Sequence, residues 1–182
     1  MSSTLIIVFV FLLAAVLVLG LAGWVVYRRR SLRDRFGPEY DRVVGERASR
    51  AAAERELRDR ERRHAQLTLR ELTPDSRARY SAEWQDLQSR FLDEPGPAVD
   101  AADELVTRLI EERGYPAGDH DEQVAQLSVD HALTLDAYRE AHAISVRNQR
   151  GEASTEELRQ AVVSYRALVV ELLGPTHDVA HR

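Results

Sequence analysis

Apolar side chains run without interruption from Leu5 to Tyr27 (LIIVFVFLLAAVLVLGLAGWVVY), and Arg28, Arg29 and Arg30 follow at once. As a helix at about 1.5 Å per residue, this run measures roughly 34 Å, enough to cross a hydrocarbon core of about 30 Å. The pattern then changes. Phe36-Gly37-Pro38 predicts a helix break, because Pro38 disfavours helical geometry at Gly37 and presets the turn that follows. Residues 39–72 are rich in Ala, Glu, Arg and Leu, with acid and Arg four apart at Glu46/Arg50, Glu54/Arg58, Glu56/Arg60 and Asp59/Arg63. This predicts one long, solvated helical neck of about 50 Å. It is not a coiled coil: stepping by seven from Val44 meets Ala51, Arg58, Ala65 and Leu72, and the complementary positions are Arg47, Glu54, Glu61 and Thr68.

Beyond the neck, apolar positions recur at helical spacing in four main blocks. Thr73-Pro74 caps a helix reaching about Leu92, whose Tyr80, Trp84, Leu87 and Phe91 share one stripe. The next spans about residues 97–113, with Ala98, Ala102, Leu105, Val106, Leu109 and Ile110 inward and a Gly114-Tyr115-Pro116 stop. Val124 and Leu127 suggest one or two turns. Asp130 is read as the cap of a helix over residues 131–150, with Leu133, Ala137, Tyr138, Ala141 and Ile144 inside and Gly151 as terminator. Ser154-Thr155-Glu156-Glu157 is a capping box opening the last helix, whose apolar face runs from Leu158 to Leu173 before Gly174-Pro175. No sustained alternation of period two occurs outside the span, so the fold class is all-α. Its parts are an N-terminal transmembrane helix, a long charged helical neck and a small cytoplasmic helical bundle, up-down or orthogonal. The expected divisions are residues 1–4 outside the membrane, 5–27 in it, 28–38 as a basic juxtamembrane segment, 39–72 as neck, 73–174 as bundle and 175–182 as a flexible tail.

Charge adds orientation. Residues 1–4 carry no charged side chain, whereas Arg28, Arg29, Arg30, Arg33 and Arg35 crowd the other flank, which by the retention of cationic loops places the N-terminus outside and the rest in the cytoplasm. Trp24 and Tyr27 stand where interfacial aromatics belong, and with those five arginines they form the expected membrane anchor. The alternative is a secreted protein after signal cleavage. An uncharged n-region, an apolar run longer than the usual 7 to 15 or so residues, and small residues that lead into Trp24-Val25-Val26 argue against it. Net charge is −5 but unevenly placed: residues 28–70 hold 14 Arg against 8 acids, and residues 71–182 hold 11 Arg against 22. A basic neck precedes an acidic head. All 25 cationic residues are Arg, and there is no Cys, which excludes disulfides, thiol nucleophiles and cysteine-based metal centres.

Candidate chemistry is sparse. His120, His131 and His142 are spaced by eleven, close to three helical turns, but two of them on one helix would lie about 16 Å apart, too far to share a metal ion. Capping, surface and hydrogen-bonding roles are expected instead. His177 and His181, with Asp178 nearby, have an i, i+4 spacing in the tail; Asp130 beside His131 reads as a helix start rather than a polarised base. The acid pairs Asp103/Glu104, Glu111/Glu112 and Glu156/Glu157 diverge by about 100° on a helix and are expected on solvated faces. No phosphate loop, dinucleotide fingerprint or nucleophile elbow is present. No catalytic, cofactor or metal residues are therefore assigned, and the protein is expected not to be an enzyme.

The strings RFGPEYDRVV after one span, ELRDRERRHAQL in the neck, and RGYP, SVDHALTLDAYREAH and RGEASTEELRQAVVSYRALVVELL in the head carry a resemblance that extends over nearly the whole chain. Together they resemble an uncharacterised family of small single-pass membrane proteins from high-GC, actinobacteria-like bacteria, whose members are often labelled hypothetical or secreted. The resemblance implies no activity and no site residues. The function expected is a membrane-anchored, non-enzymatic protein-interaction module displaying its acidic bundle on the cytoplasmic face of the inner membrane. The alternative is a structural or envelope-stress component whose Arg-rich neck binds anionic lipid and whose head oligomerises. Expected partners are membrane lipids, through the span and basic neck, and an unidentified protein; the acidic head disfavours nucleic acid.

Overall fold

A computed structural model describes residues 3–174, with side chains at residues 8, 9 and 11–174. Among the described residues the chain is all-helical: α1 (Ser3–Phe36), α2 (Pro38–Glu46), α3 (Arg50–His64), α4 (Pro74–Arg90), α5 (Pro95–Glu112), α6 (His120–Leu127), α7 (Leu135–Asn148) and α8 (Thr155–Leu173). The tail with His177, Asp178 and His181 lies outside the described residues. The chain divides into two compact units, Met1–Leu57 and Arg58–Arg182, with the boundary inside α3.

In the first unit, α1 continues through the arginines to Phe36. Its stretch from Phe11 to Phe36 is long and apolar enough to cross a membrane, with a mean hydropathy of 2.0 over its most apolar window. The expected break occurs at Gly37, whose φ of 47° lies in the left-handed region, and Pro38 opens α2. Leu32, Phe36, Tyr40, Val43, Ala53 and Leu57 are buried here. Glu54 is buried as well; its carboxylate accepts a hydrogen bond from the Tyr40 hydroxyl at 3.1 Å and lies 3.2 Å from Arg29 Nε. A buried carboxylate needs such partners, since leaving it unpaired would cost several kcal/mol.

The neck is not one long solvated helix. It breaks at residues 47–49, where Arg47 turns extended (φ −99°, ψ 150°) and Ser49 Oγ accepts the Ala52 amide at 3.2 Å, capping α3. Helix ends again after His64, and residues 68–73 run without regular structure. Packing explains both departures: Ala53 and Leu57 are buried, and farther on Leu67, Leu69 and Leu72 lie against the core of the second unit. Each buried leucine contributes about 2 kcal/mol, whereas an exposed i, i+4 ion pair contributes only a few tenths. Some charges have partners other than those four residues on: Glu46 pairs with Arg42, and Arg63 with Glu122 at 3.2 Å.

In the second unit α4, α5, α7 and α8 surround one core, with α5 and α8 at its centre, and α6 is a short helix beside α7. Thr73 caps α4 by accepting the Ser76 amide at 3.1 Å, and the capping box of Ser154 and Glu157 opens α8. All six inward positions expected for α5 are buried. Its end is a Schellman motif: the Gly114 amide bonds Glu111 O at 2.9 Å, the Tyr115 amide bonds Ile110 O at 3.3 Å, and Gly114 has φ 94°. Tyr80, Trp84 and Leu87 of α4 are buried and Phe91 partly so.

Asp130 does not cap the penultimate helix. Residues 128–134 wind into turns, with the His131 amide on Leu127 O at 2.8 Å and the Thr134 amide on His131 O at 3.2 Å, and α7 begins only at Leu135. Leu133, expected inside, is 84% exposed. The turn is held by Glu171 of α8, which accepts from Thr134 Oγ1 at 2.6 Å and bonds His131 Nδ1 at 2.7 Å. These long-range bonds outweigh the propensity for one more helical turn.

Candidate functional site

Five titratable side chains, Asp103, His120, Tyr138, His142 and Tyr165, come together where α5, α6, α7 and α8 meet. Asp103 projects from α5 beside the apolar stripe formed by Val99, Ala102 and Val106. It was expected on a solvated face, yet its side chain is only 16% exposed. One oxygen, Oδ1, accepts from both His142 Nδ1 at 2.9 Å and the Tyr165 hydroxyl. Burial pushes the Asp103 carboxyl up, but the bonds from His142 and Tyr165 prevail and hold it below the usual carboxylate range.

His142 in turn stacks on His120, the first residue of α6, with ring centroids 3.8 Å apart and planes within 17°. The spacing of eleven thus concealed a partnership between its first and third members, brought together by the fold rather than by one helix face. Burial lowers the pKa of His120, the neighbouring His142 lowers it further, and Asp103 and Asp121 oppose them only in part. The helix N-terminus beneath it also disfavours a cation.

A polar chain extends behind this pair. The Tyr138 hydroxyl donates to Gln123 Oε1 at 3.1 Å, and Gln123 Nε2 donates to the Pro116 carbonyl at 3.1 Å, fixing the loop that leads into α6. The Tyr138 and Tyr165 rings meet edge to face at 6.2 Å. Burial raises the pKa of both phenols, with Asp103 adding to the effect, so they remain neutral donors. Tyr138 is expected inside and Tyr165 falls on the apolar face of the last helix, and their phenolic hydroxyls are the sequence signal that polar partners would be required on burial.

In front of the pair an open cleft of about 190 Å³ is lined by Thr107 and Glu111 of α5, by Gly118 and Asp119 of the loop, and by His120, Gln123 and His142. Asp119 caps α6 by accepting the Asp121 amide at 3.0 Å. Its exposed carboxylate and that of Glu111 give the cleft two negative charges. The imidazoles lie face to face, so their nitrogens lie in nearly parallel planes rather than aiming at one point. Among the described residues, no group of three or more His, Cys, Asp or Glu is arranged to hold a metal ion.

His64 and His131 serve the packing of the turn before α7. His131 bonds Glu171 rather than Asp130, and Asp130 instead approaches His64 Nε2 at 3.2 Å. Tyr115 lies between the two imidazoles, 6.0 Å from His64 and 5.9 Å from His131. The expected acid pairs diverge, and their members have separate tasks: Glu112 accepts from Tyr80 at 2.8 Å and Arg79 at 2.9 Å, while Glu157 completes the α8 cap.

The residues expected to form the membrane anchor have specific neighbours too. The Arg28 guanidinium lies 4.6 Å from the Trp24 ring centroid, Arg33 bonds both oxygens of Asp41 at 3.0 and 3.1 Å, and Arg29 reaches Glu54. Tyr27, Arg30 and Arg35 border a shallow surface depression with Ser31 and Asp34. No family model, curated protein or solved structure matches the chain.

Proposed function

We propose that the chain is a single-pass, non-enzymatic membrane protein, with its N-terminus outside and its head in the cytoplasm, and that the head binds a basic segment of another protein. The observation that carries the reading is the cleft in front of His120 and His142. It is lined by the carboxylate-bearing Glu111 and Asp119, and two further lining residues are fixed by hydrogen bonds, His142 to Asp103 and Gln123 to Tyr138 and the Pro116 carbonyl. A preorganised acidic cleft receives a Lys or Arg side chain without the ordering cost that a mobile surface would incur. The surplus of 22 acids over 11 Arg in residues 71–182 adds long-range attraction for such a partner.

The test titrates an Arg-rich peptide and its Glu-substituted counterpart into the full-length protein in nanodiscs of neutral lipid. The reading expects salt-sensitive binding of the basic peptide alone, weakened several-fold in Glu111→Gln/Asp119→Asn. Equal binding by that variant, or none to the wild type, refutes it. A reporter fused at the C-terminus tests the orientation separately, with activity expected only in the cytoplasmic configuration.

A further inference from the structure

The first unit contains a pocket of a different character. It is lined by Val26, Arg29, Arg30 and Arg33 of α1, Tyr40 of α2 and Arg50 of α3, and encloses about 140 Å³. Four guanidinium groups bordering so small a space repel one another unless anions intervene. Two carboxylates supply part of that compensation: Glu54 at Arg29 and Asp41 at Arg33. Among the described residues, Arg30 and Arg50 make no direct ion pair, so the four arginines of the pocket are met by only two paired carboxylates. Tyr40 is not a counter-anion. Burial raises its pKa, and its hydrogen bond to Glu54 raises it further, so the phenol stays neutral.

The position of the pocket narrows the ligand. Val26 is among the last apolar residues before the arginine cluster, and above it α1 exposes Leu17, Val18, Leu19 and Leu21 along the membrane-length stretch. The pocket thus sets an apolar residue, Val26, beside four arginines at the end of the exposed apolar stretch. That juxtaposition suits an amphiphile whose charged group meets the arginines while its chains lie along α1. Planar guanidinium forks match phosphate oxygens closely, better than ammonium groups would.

We propose that this pocket seats the phosphodiester of an anionic glycerophospholipid, with Arg30 and Arg50 as its principal partners and Arg29 and Arg33 held in place by their carboxylates. A bound lipid of this kind joins the end of α1 to α2 and the start of α3. The proposal is independent of any protein partner of the head, and it survives if the acidic cleft binds nothing.

The experiment uses the full chain in neutral detergent, with bound lipid counted by native mass spectrometry during titration with phosphatidylglycerol or phosphatidylcholine. One phosphatidylglycerol is expected to be retained preferentially. Arg50→Gln should weaken that retention about five-fold, the weight of one arginine at an anionic surface. Arg30→Gln should act alike. Arg55→Gln provides the control, because Arg55 is an exposed residue of the same α3 that does not line the pocket, and its loss changes net charge equally. Unchanged circular dichroism of the variants certifies that the fold persists. Equal effects of Arg50→Gln and Arg55→Gln would reduce the attraction to diffuse charge and overturn the proposal, as would equal retention of the two lipids. Competition by millimolar inorganic phosphate would identify a free-phosphate site instead, which also overturns it.

Discussion

Gly114 offers a direct measure of how the loop below the cleft is built. At φ +94° it closes α5, and a Cβ added there would lie 2.5 Å from the Thr68 carbonyl oxygen and 3.3 Å from Leu69 Cα. Both neighbours are backbone, so no rotamer change relieves the clash. Gly114→Ala therefore incurs the left-handed penalty of an L-residue, about 1 to 2 kcal/mol. It also forces residues 68–70 away from the α5 terminus. That withdrawal removes the bond from the Arg70 amide to Arg113 O, 2.9 Å long, at about 1 kcal/mol. It exposes part of Leu67 and Leu69 for about 1 kcal/mol more. The sum is about 3 to 4 kcal/mol. Gly118 supplies the internal reference, since it has φ +93° but nothing within 4 Å of its would-be Cβ. Gly118→Ala should show only the conformational part. Thermal unfolding of the full-length variants in mild detergent, followed by near-ultraviolet circular dichroism, should place Gly114→Ala about 8 °C below Gly118→Ala. Equal melting temperatures would refute the claimed close approach of residues 68–70 to the end of α5.

Two further outcomes test the side-chain cluster. His120 binds its proton less tightly when folded than at its ordinary value of 6.5, because burial and His142 oppose the charge. The unfolded chain therefore holds more protons in that window, so this contribution to stability is complete above pH 6.5 and declines as pH falls toward the lower folded value. Chemical denaturation at several pH values should show the decline, and His120→Gln should flatten it; an unchanged slope contradicts the assignment. Asp103→Ala leaves the Tyr165 hydroxyl and His142 Nδ1 without their shared acceptor and should cost about 2 to 4 kcal/mol, read as a lower denaturant midpoint. A loss below about 0.5 kcal/mol would mean that Asp103 is a surface carboxylate after all.

The parts of this molecule that could be read from residue order are those whose causes are local. Ser154 and Glu157 lie three apart, so their reciprocal cap on α8 depends on nothing distant. The Gly114-Tyr115-Pro116 stop and the Tyr80, Trp84, Leu87 stripe are legible for the same reason: spacing along a helix decides which groups meet. The long apolar run likewise needs only counting. The neck departs from the sequence expectation because local ion pairs and helix propensity are the visible forces in residue order, while the burial of Leu57 and Leu72 and the partial burial of Leu67 and Leu69 depend on surfaces supplied elsewhere in the chain. The turn at residues 128–134 departs likewise, since Glu171 arrives from 37 residues beyond Thr134.

The cluster at the cleft belongs wholly to tertiary structure. Asp103, His120, His142 and Tyr165 come from four helices, and their sequence separations bear no relation to the contacts they make. Residue order alone determined an all-helical chain with one membrane-length apolar helix, the ends of α4, α5 and α8, and an acidic head behind a basic segment, because hydrophobic period, caps and charge act within a few positions of their source. Only the folded chain decided which carboxylate meets which histidine, and which arginines around a pocket make no direct ion pair, because such pairings depend on distances that close only when separate helices bury their apolar faces together.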